Sequence, residues 1–186
     1  MKKALIFIGS SRKDGNTDTL VKELIRGVDR TKIDIEIHYL DQMNIKGCKG
    51  CLYCRKHAEC VIKDDMLGVY ESLKIAEYVV IASPVYICQV SSQTKTLLDR
   101  LYPLTEIDKW KHTPRFGKKK LIMLYTHAAP FDWIFRKYFR YTAKSLKGLG
   151  LIHLKTLIAS KAFKKNSTKQ NTKVLNKAYR IGQQIK

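Results

Sequence analysis

Short, unbroken apolar runs alternate with helix-period segments along this chain, and that alternation constrains the fold more than any single motif. Lys3–Gly9 (core ALIFI) reads as a buried strand, and a turn-rich segment follows it. Thr17–Val28 carries Leu20, Val21, Leu24, Ile25 and Val28 at helical spacing. Ile33–Leu40 alternates (IDIEIHYL), which predicts a strand near the sheet edge. Asp64 and Asp65 open a helix that runs to about Ile75, aspartate being a good N-cap. Tyr78–Ala82 (YVVIA) is a second buried strand, which Ser83-Pro84 is expected to end. Ser91–Leu101 then reads as helix, Lys120–Thr126 as strand and Phe131–Leu146 as an aromatic-rich helix. Leu151–Ile158 reads as strand and Thr172–Ile185 as a basic closing helix, with residues 103–118 and 160–171 as loops.

Five strands alternating with helices predict a parallel sheet covered on both faces, a three-layer α/β sandwich. The alternation fits the flavodoxin-like order 2-1-3-4-5 and leaves Rossmann and response-regulator arrangements open. A length of 186 residues, 45% of them apolar, with neither repeat nor linker, suits one domain over 1–186. The apolar run Ala4–Ile8 is too short for a signal peptide and no stretch is long enough to span a bilayer, so a cytoplasmic protein away from membranes is expected.

The loops discriminate further. Gly9-Ser10-Ser11-Arg12-Lys13-Asp14-Gly15-Asn16-Thr17 joins the first strand to the first helix, where free N–H groups favour an anion. The hydroxyls of Ser10, Ser11 and Thr17 and the Asn16 amide suit a phosphate monoester. Neither the Walker A pattern nor G-x-G-x-x-G is present. Ser83-Pro84-Val85-Tyr86-Ile87-Cys88-Gln89-Val90-Ser91 leaves the third strand, across the topological switch point, where a proline and an aromatic suit the border of a flat ring. Thr126–Pro130, with His127, is a third candidate wall.

Cys48, Cys51, Cys54 and Cys60 fall within a loop at about 46–62, spaced C-x2-C-x2-C-x5-C. Such steps bring thiolates to one compact centre, an iron–sulfur cluster before unligated reduced thiols, with zinc as the third reading. The fifth cysteine, Cys88, lies apart, and no disulfide framework is expected in a reducing compartment. The net charge is +20, and no Asp or Glu follows Asp132. That field attracts polyanions, acidic redox partners and anionic cofactors. No nucleic-acid motif accompanies it, so nucleic acid is not the expected partner.

GSSRKDGNT, CVIKDDM (Cys60–Met66) and SPVYICQVSSQTKTLLDR (Ser83–Arg100), in this strand–helix order, resemble the flavodoxin-fold NAD(P)H-dependent FMN reductase superfamily. Within it the chain is most similar to the iron–sulfur flavoprotein branch, over most of residues 1–130. The resemblance implies FMN, with Ser10, Arg12, Asn16 and Thr17 at its phosphate and Pro84, Val85, Tyr86 and Ile87 along the isoalloxazine. It implies a [4Fe–4S] cluster on Cys48, Cys51, Cys54 and Cys60, and a homodimer or homotetramer that brings cluster and flavin together. Where many relatives carry an aromatic and a glycine after the tyrosine, this chain has Ile87 and Cys88.

The expected function is an FMN-dependent oxidoreductase that passes electrons between cluster and flavin. Its partners are a small-molecule or ferredoxin-like donor or acceptor, with NAD(P)H as a donor. The alternatives are a cluster-free NAD(P)H-dependent FMN or quinone reductase and, more distantly, a basic zinc-binding module for nucleic acid or an acidic protein. No acid–base catalytic residue is assigned.

Overall fold

A computed structural model describes the chain from Met1 to Lys186. Its strands and helices alternate as β1 (Lys2–Ile8), α1 (Asn16–Arg26), β2 (Ile33–Tyr39), α2 (Met66–Ile75), β3 (Tyr78–Tyr86), α3 (Ser92–Asp99), β4 (Lys119–Thr126), α4 (Arg136–Ser145), β5 (Leu151–Ala159) and α5 (Thr172–Gly182). The five strands form one parallel sheet in the order β2-β1-β3-β4-β5, the flavodoxin-like order expected.

Period-two alternation divides each central strand between two cores. Ala4, Ile6 and Ile8 of β1 join Leu20 and Leu24 of α1 and Ala178 and Ile181 of α5 on one face. Leu5 and Phe7 join Met66 and Leu73 of α2, Leu97 of α3 and Phe139 of α4 on the other. β1, β3 and β4 are buried on both faces, which is why they read as continuous apolar runs, whereas the edge strand β2 alternates. α1 and α5 cross closely enough that a Cβ on Gly27 would lie 2.1 Å from the Tyr179 carbonyl oxygen and one on Gly182 would lie 2.0 Å from that of Leu24. At the N-terminal edge of the sheet, Lys2 Nζ and the Tyr78 hydroxyl donate to the Lys186 carbonyl at 3.0 and 2.8 Å. No helix is long and apolar enough to cross a membrane.

Three boundaries differ from expectation. β3 does not stop at Ser83-Pro84: the ladder continues through Ser83↔Tyr125 and Pro84↔Thr126. Beyond it the chain folds back through Ile87 and Cys88 into a two-residue antiparallel strand, Gln89–Val90. Residues 103–118 are not only loop, since Thr105–Asp108 pairs antiparallel with Lys111–Pro114. The aromatic-rich helix begins five residues late, at Arg136, because Phe131–Phe135 forms turns that leave Phe131, Trp133 and Ile134 exposed.

Candidate functional site

Because all five strands are parallel, the loops after β1, β2, β3, β4 and β5 leave the same edge of the sheet. Open α/β sheets bind ligands at that edge. The loops after β1 and β3 face each other across the switch point and are joined by a buried hydroxyl network. Ser91 Oγ donates to the Gly9 carbonyl at 2.6 Å and accepts from Thr94 N–H at 3.3 Å, which caps α3. Ser91 N–H donates to Ser83 Oγ at 3.0 Å, and Ser83 Oγ donates to the Pro84 carbonyl at 2.8 Å. Gly9 lies so close to this network that a Cβ there would sit 1.8 Å from Thr94 Oγ1.

The loop after β1 presents backbone more than side chains. Gly15 caps α1 without a side-chain acceptor, so the first-turn N–H groups of Asn16, Thr17 and Asp18 lack intrahelical partners. Ser10 is buried and its Oγ accepts from Arg12 N–H at 3.3 Å. The Arg12 side chain is exposed at the rim. The Asn16 amide is committed elsewhere: Nδ2 donates to the carbonyls of Ala162 (3.1 Å) and Lys164 (2.9 Å), and Oδ1 accepts from Thr168 N–H (2.9 Å). Thr17 Oγ1 pairs with Thr126 Oγ1 at 2.8 Å in the interior. Asn16 and Thr17 therefore brace the loops after β5 and β4, and what each still offers an anion is its N–H.

The loop after β3 forms a ledge. Pro84 is buried, Val85 half-buried and Tyr86 exposed, while the Ile87 side chain is 94% exposed. Ile87 and Cys88 both have positive φ, +44° and +63°. Primed hairpin turns demand this conformation, which glycine adopts freely and a β-branched residue resists. On the third wall, His127 is 97% buried and packs edge-on against Phe135 at 5.0 Å, with neither ring nitrogen hydrogen-bonded. Burial holds its pKa below the usual histidine value.

The cysteine loop is anchored at its two stems. Arg100 and Asp64, both with fully buried side chains, form a two-pronged pair: Nη1 donates to Oδ2 at 2.7 Å and Nη2 to Oδ1 at 3.0 Å. Arg100 also donates to the Lys46 carbonyl at 2.6 Å, and Asp64 accepts from Lys46 N–H at 2.9 Å and Met66 N–H at 3.1 Å. One ion pair thus closes the loop at both ends and caps α2. Burial opposes the Asp64 charge, but Arg100 and the backbone donors outweigh it and hold the carboxyl below its ordinary range.

Between the stems little fixes the thiols. Cys48 and Cys51 are exposed, Cys54 and Cys60 half-buried, and Gly50 N–H approaches Cys48 Sγ at 3.5 Å. No three of them stand in a metal-holding arrangement. They do share one neighbourhood, since burial and then the thiolates of Cys60, Cys48 and Cys51 push the Cys54 thiol up. Gly50 and Leu52, both at positive φ, turn the backbone between them. In donor chemistry, four thiols in a short run, with the one carboxylate among them, Glu59, taken up by the Tyr53 hydroxyl at 3.2 Å and Lys63 at 3.8 Å, the loop fits an iron–sulfur centre. Arg100 and the Ser91 contact to Gly9 escape sequence reasoning because their partners are distant in the chain. Only Ser91, three residues before Thr94 at a helix start, carries a local capping signal.

Three comparisons place this geometry among known proteins. An iron–sulfur flavoprotein of Methanocaldococcus jannaschii is 35% identical over 102 residues, 55% of this chain and 53% of that one. One from Archaeoglobus fulgidus is 33% identical over 101 residues, 54% of this chain and 46% of that one. The chain thus spans about half the length of these curated relatives. Two solved structures share the fold at low identity: Smu.1420 from Streptococcus mutans (TM-score 0.79, 16% identity, 98% and 100% of the two chains covered) and an NAD(P)H:quinone oxidoreductase from Methanothermobacter marburgensis (TM-score 0.74, 15% identity, 100% and 99% covered). The model of the NADPH-dependent FMN reductase family matches residues 2–130, a span that holds the loops after β1, β2 and β3, and this chain belongs to that family.

Proposed function

We propose that this chain is an FMN-dependent oxidoreductase that passes electrons between FMN at the loops after β1 and β3 and a [4Fe–4S] cluster on Cys48, Cys51, Cys54 and Cys60. The observation that carries the reading is the uncapped start of α1, in a loop that Ser91 ties at Gly9 to the strand bearing the Pro84–Ile87 ledge. An anion acceptor and a flat ledge on opposite sides of the switch point suit a phosphorylated heteroaromatic group. When bound, FMN supplies exchange between two-electron and one-electron transfer, and the cluster supplies one-electron transfer.

The chain's own residues hold and tune these groups. Ser10, Asn16 and Thr17 present N–H groups to the phosphate, and exposed Arg12 adds the positive charge. Pro84 and Val85 supply a rigid ledge for the ring, and Tyr86 and Ile87 border its open side. Lys46, Lys49, Arg55, Lys56 and Lys63, all exposed, stabilise an anionic centre and favour an acidic, ferredoxin-like donor or acceptor. A homodimer or homotetramer that joins the thiols of one copy to the ledge of another completes the reading.

An anaerobic absorption spectrum before and after dithionite tests it. Structured flavin bands over a broad shoulder, both bleached on reduction, are expected, and a colourless protein that also takes up no added FMN refutes the reading. A second reading, which the family match also supports, is a cluster-free NAD(P)H-dependent FMN or quinone reductase. That reading is distinguished by flavin bands alone and by turnover with NAD(P)H that survives Cys54→Ser.

A further inference from the structure

The two edges of the sheet carry their charge differently. On β2, Asp34 and Glu36 are neutralised by Lys3 at 3.6 and 2.8 Å. On β5 the charge is unmatched. No strand pairs with its outer side, so every second residue directs its backbone N–H and C=O away from the sheet. α4 and α5 lie on opposite faces, and a groove of about 850 Å³ runs along the β5 edge between them.

Cations line both walls of this groove. Arg136, Arg140 and Lys144 follow one another at four-residue steps along α4, a stripe of about 12 Å at helical rise, and Lys147 continues it in the next turn. Lys177 and Arg180 of α5 stand on the other wall, with Lys155 on β5 itself. Of these seven cations only Arg136 has a carboxylate within ion-pair distance, Asp132 at 3.4 Å. Guarding an edge against aggregation takes a single lysine or a bulge, and β5 already has both: Lys155, and the register shift opposite Leu121 and Ile122. Six further cations on two helices exceed that need and concentrate repulsion that an anion relieves.

We propose that the β5 edge is a docking trough for an extended acidic segment of a partner protein, which adds a strand to the sheet while its carboxylates meet the two cationic walls. The trough favours this occupant over others. Its one Phe, Tyr or Trp ring, Phe139, is 1% exposed, and its one other ring, the exposed imidazole of His153, is held to Thr156 Oγ1 at 2.8 Å, so single-stranded nucleic acid finds no run of stacking surfaces. The remaining floor is aliphatic, from Ile152, Leu157, Ile158 and Ile181, and suits alternate apolar side chains of an added strand. A second copy brings its own charge of +20.

The test is fluorescence anisotropy of the full chain with a short labelled peptide in which Glu alternates with Val and Thr. The same peptide N-methylated at alternate amides, and an oligothymidylate of equal charge, serve as competing probes. The parent peptide should bind, N-methylation should weaken it about tenfold by removing ladder hydrogen bonds, and R140E/K144E/R180E should weaken it by a similar or larger factor. All three substituted side chains are exposed, so the triple variant keeps the wild-type circular dichroism and melting temperature. Equal binding of parent and methylated peptide reduces the trough to counter-ion attraction and overturns the proposal. So does tighter binding of the oligothymidylate at the same cations, self-association in sedimentation that R140E/K144E/R180E abolishes, or no binding at low salt. The wild-type comparison of the two peptides decides the matter even if the triple variant misfolds.

Discussion

The loops after β1 and β2 leave neighbouring strands at one edge of the sheet, yet the chain holds them in opposite ways. The first is braced along its length: Gly9 is held by Ser91, Arg12 by Ser10, Asn16 by three backbone groups and Thr17 by Thr126. The second is clasped most firmly at its stems, by Arg100 and Asp64; between them Arg115 reaches only the backbone carbonyls of Cys54 and Arg55, at 3.4 and 3.0 Å, and the thiols make a single weak contact of their own. Rigid N–H groups need no help to meet an anion, because the free helix start is already preorganised. Four thiolates would repel one another until something positive joined them; under the proposed reading, the protein fixes where their loop begins and ends and the cluster sets their final arrangement.

Breaking the clasp should have the largest effect. Arg100→Met strands the buried Asp64 carboxylate and should lower stability by about 3–5 kcal/mol in urea unfolding, whereas Arg100→Met with Asp64→Leu should recover most of the loss. A loss below about 1 kcal/mol for the single variant would show that the stems are held by something else. The clasp also has a pH signature. The folded Asp64 carboxyl ionises below its unfolded value of about 3.9, so its contribution is complete above that pH and is lost as pH falls toward the folded pKa. Asp64→Asn should flatten that part of the stability–pH curve.

The braced loop should fail in a different way. Gly9→Ala pushes a methyl into Thr94 and should cost about 1–3 kcal/mol, with FMN affinity falling in parallel by fluorescence titration. Thr94→Ala should relieve part of this clash, and its failure to do so would remove Thr94 as the cause. At the ledge, Cys88→Gly should stabilise the chain by roughly 1 kcal/mol, since glycine accepts φ +63° without strain. An unchanged or lower melting temperature would count against strain in that turn. The smallest effect belongs to Cys54→Ser, which without added iron should shift stability by no more than about 0.5 kcal/mol. A larger loss would mean that the cysteine loop is braced internally after all.

What was legible in the amino-acid order follows the range of each interaction. β1, β3 and β4 were readable because burial on both faces writes itself as an unbroken apolar run; their alternation with helices fitted the observed strand order without excluding a Rossmann one. The end of β3 was misread because Ser83-Pro84 resembles a local stop, while the ladder to Tyr125 and Thr126 that carries the strand onward is non-local. Asn16 and Thr17 were legible as members of the loop after β1, but a sequence cannot say that their side chains turn inward to Lys164 and Thr126. Arg100 looked like the end of a helix. Its importance lies in meeting Lys46 and Asp64, 54 and 36 positions away.

The meeting of Lys2, Tyr78 and Lys186 has a practical side. Residues 2 and 186 lie at the pole of the sheet opposite the one from which the ligand-facing loops emerge. A surface anchor placed at either residue therefore turns those loops outward, the orientation an electrode or an immobilised redox relay requires.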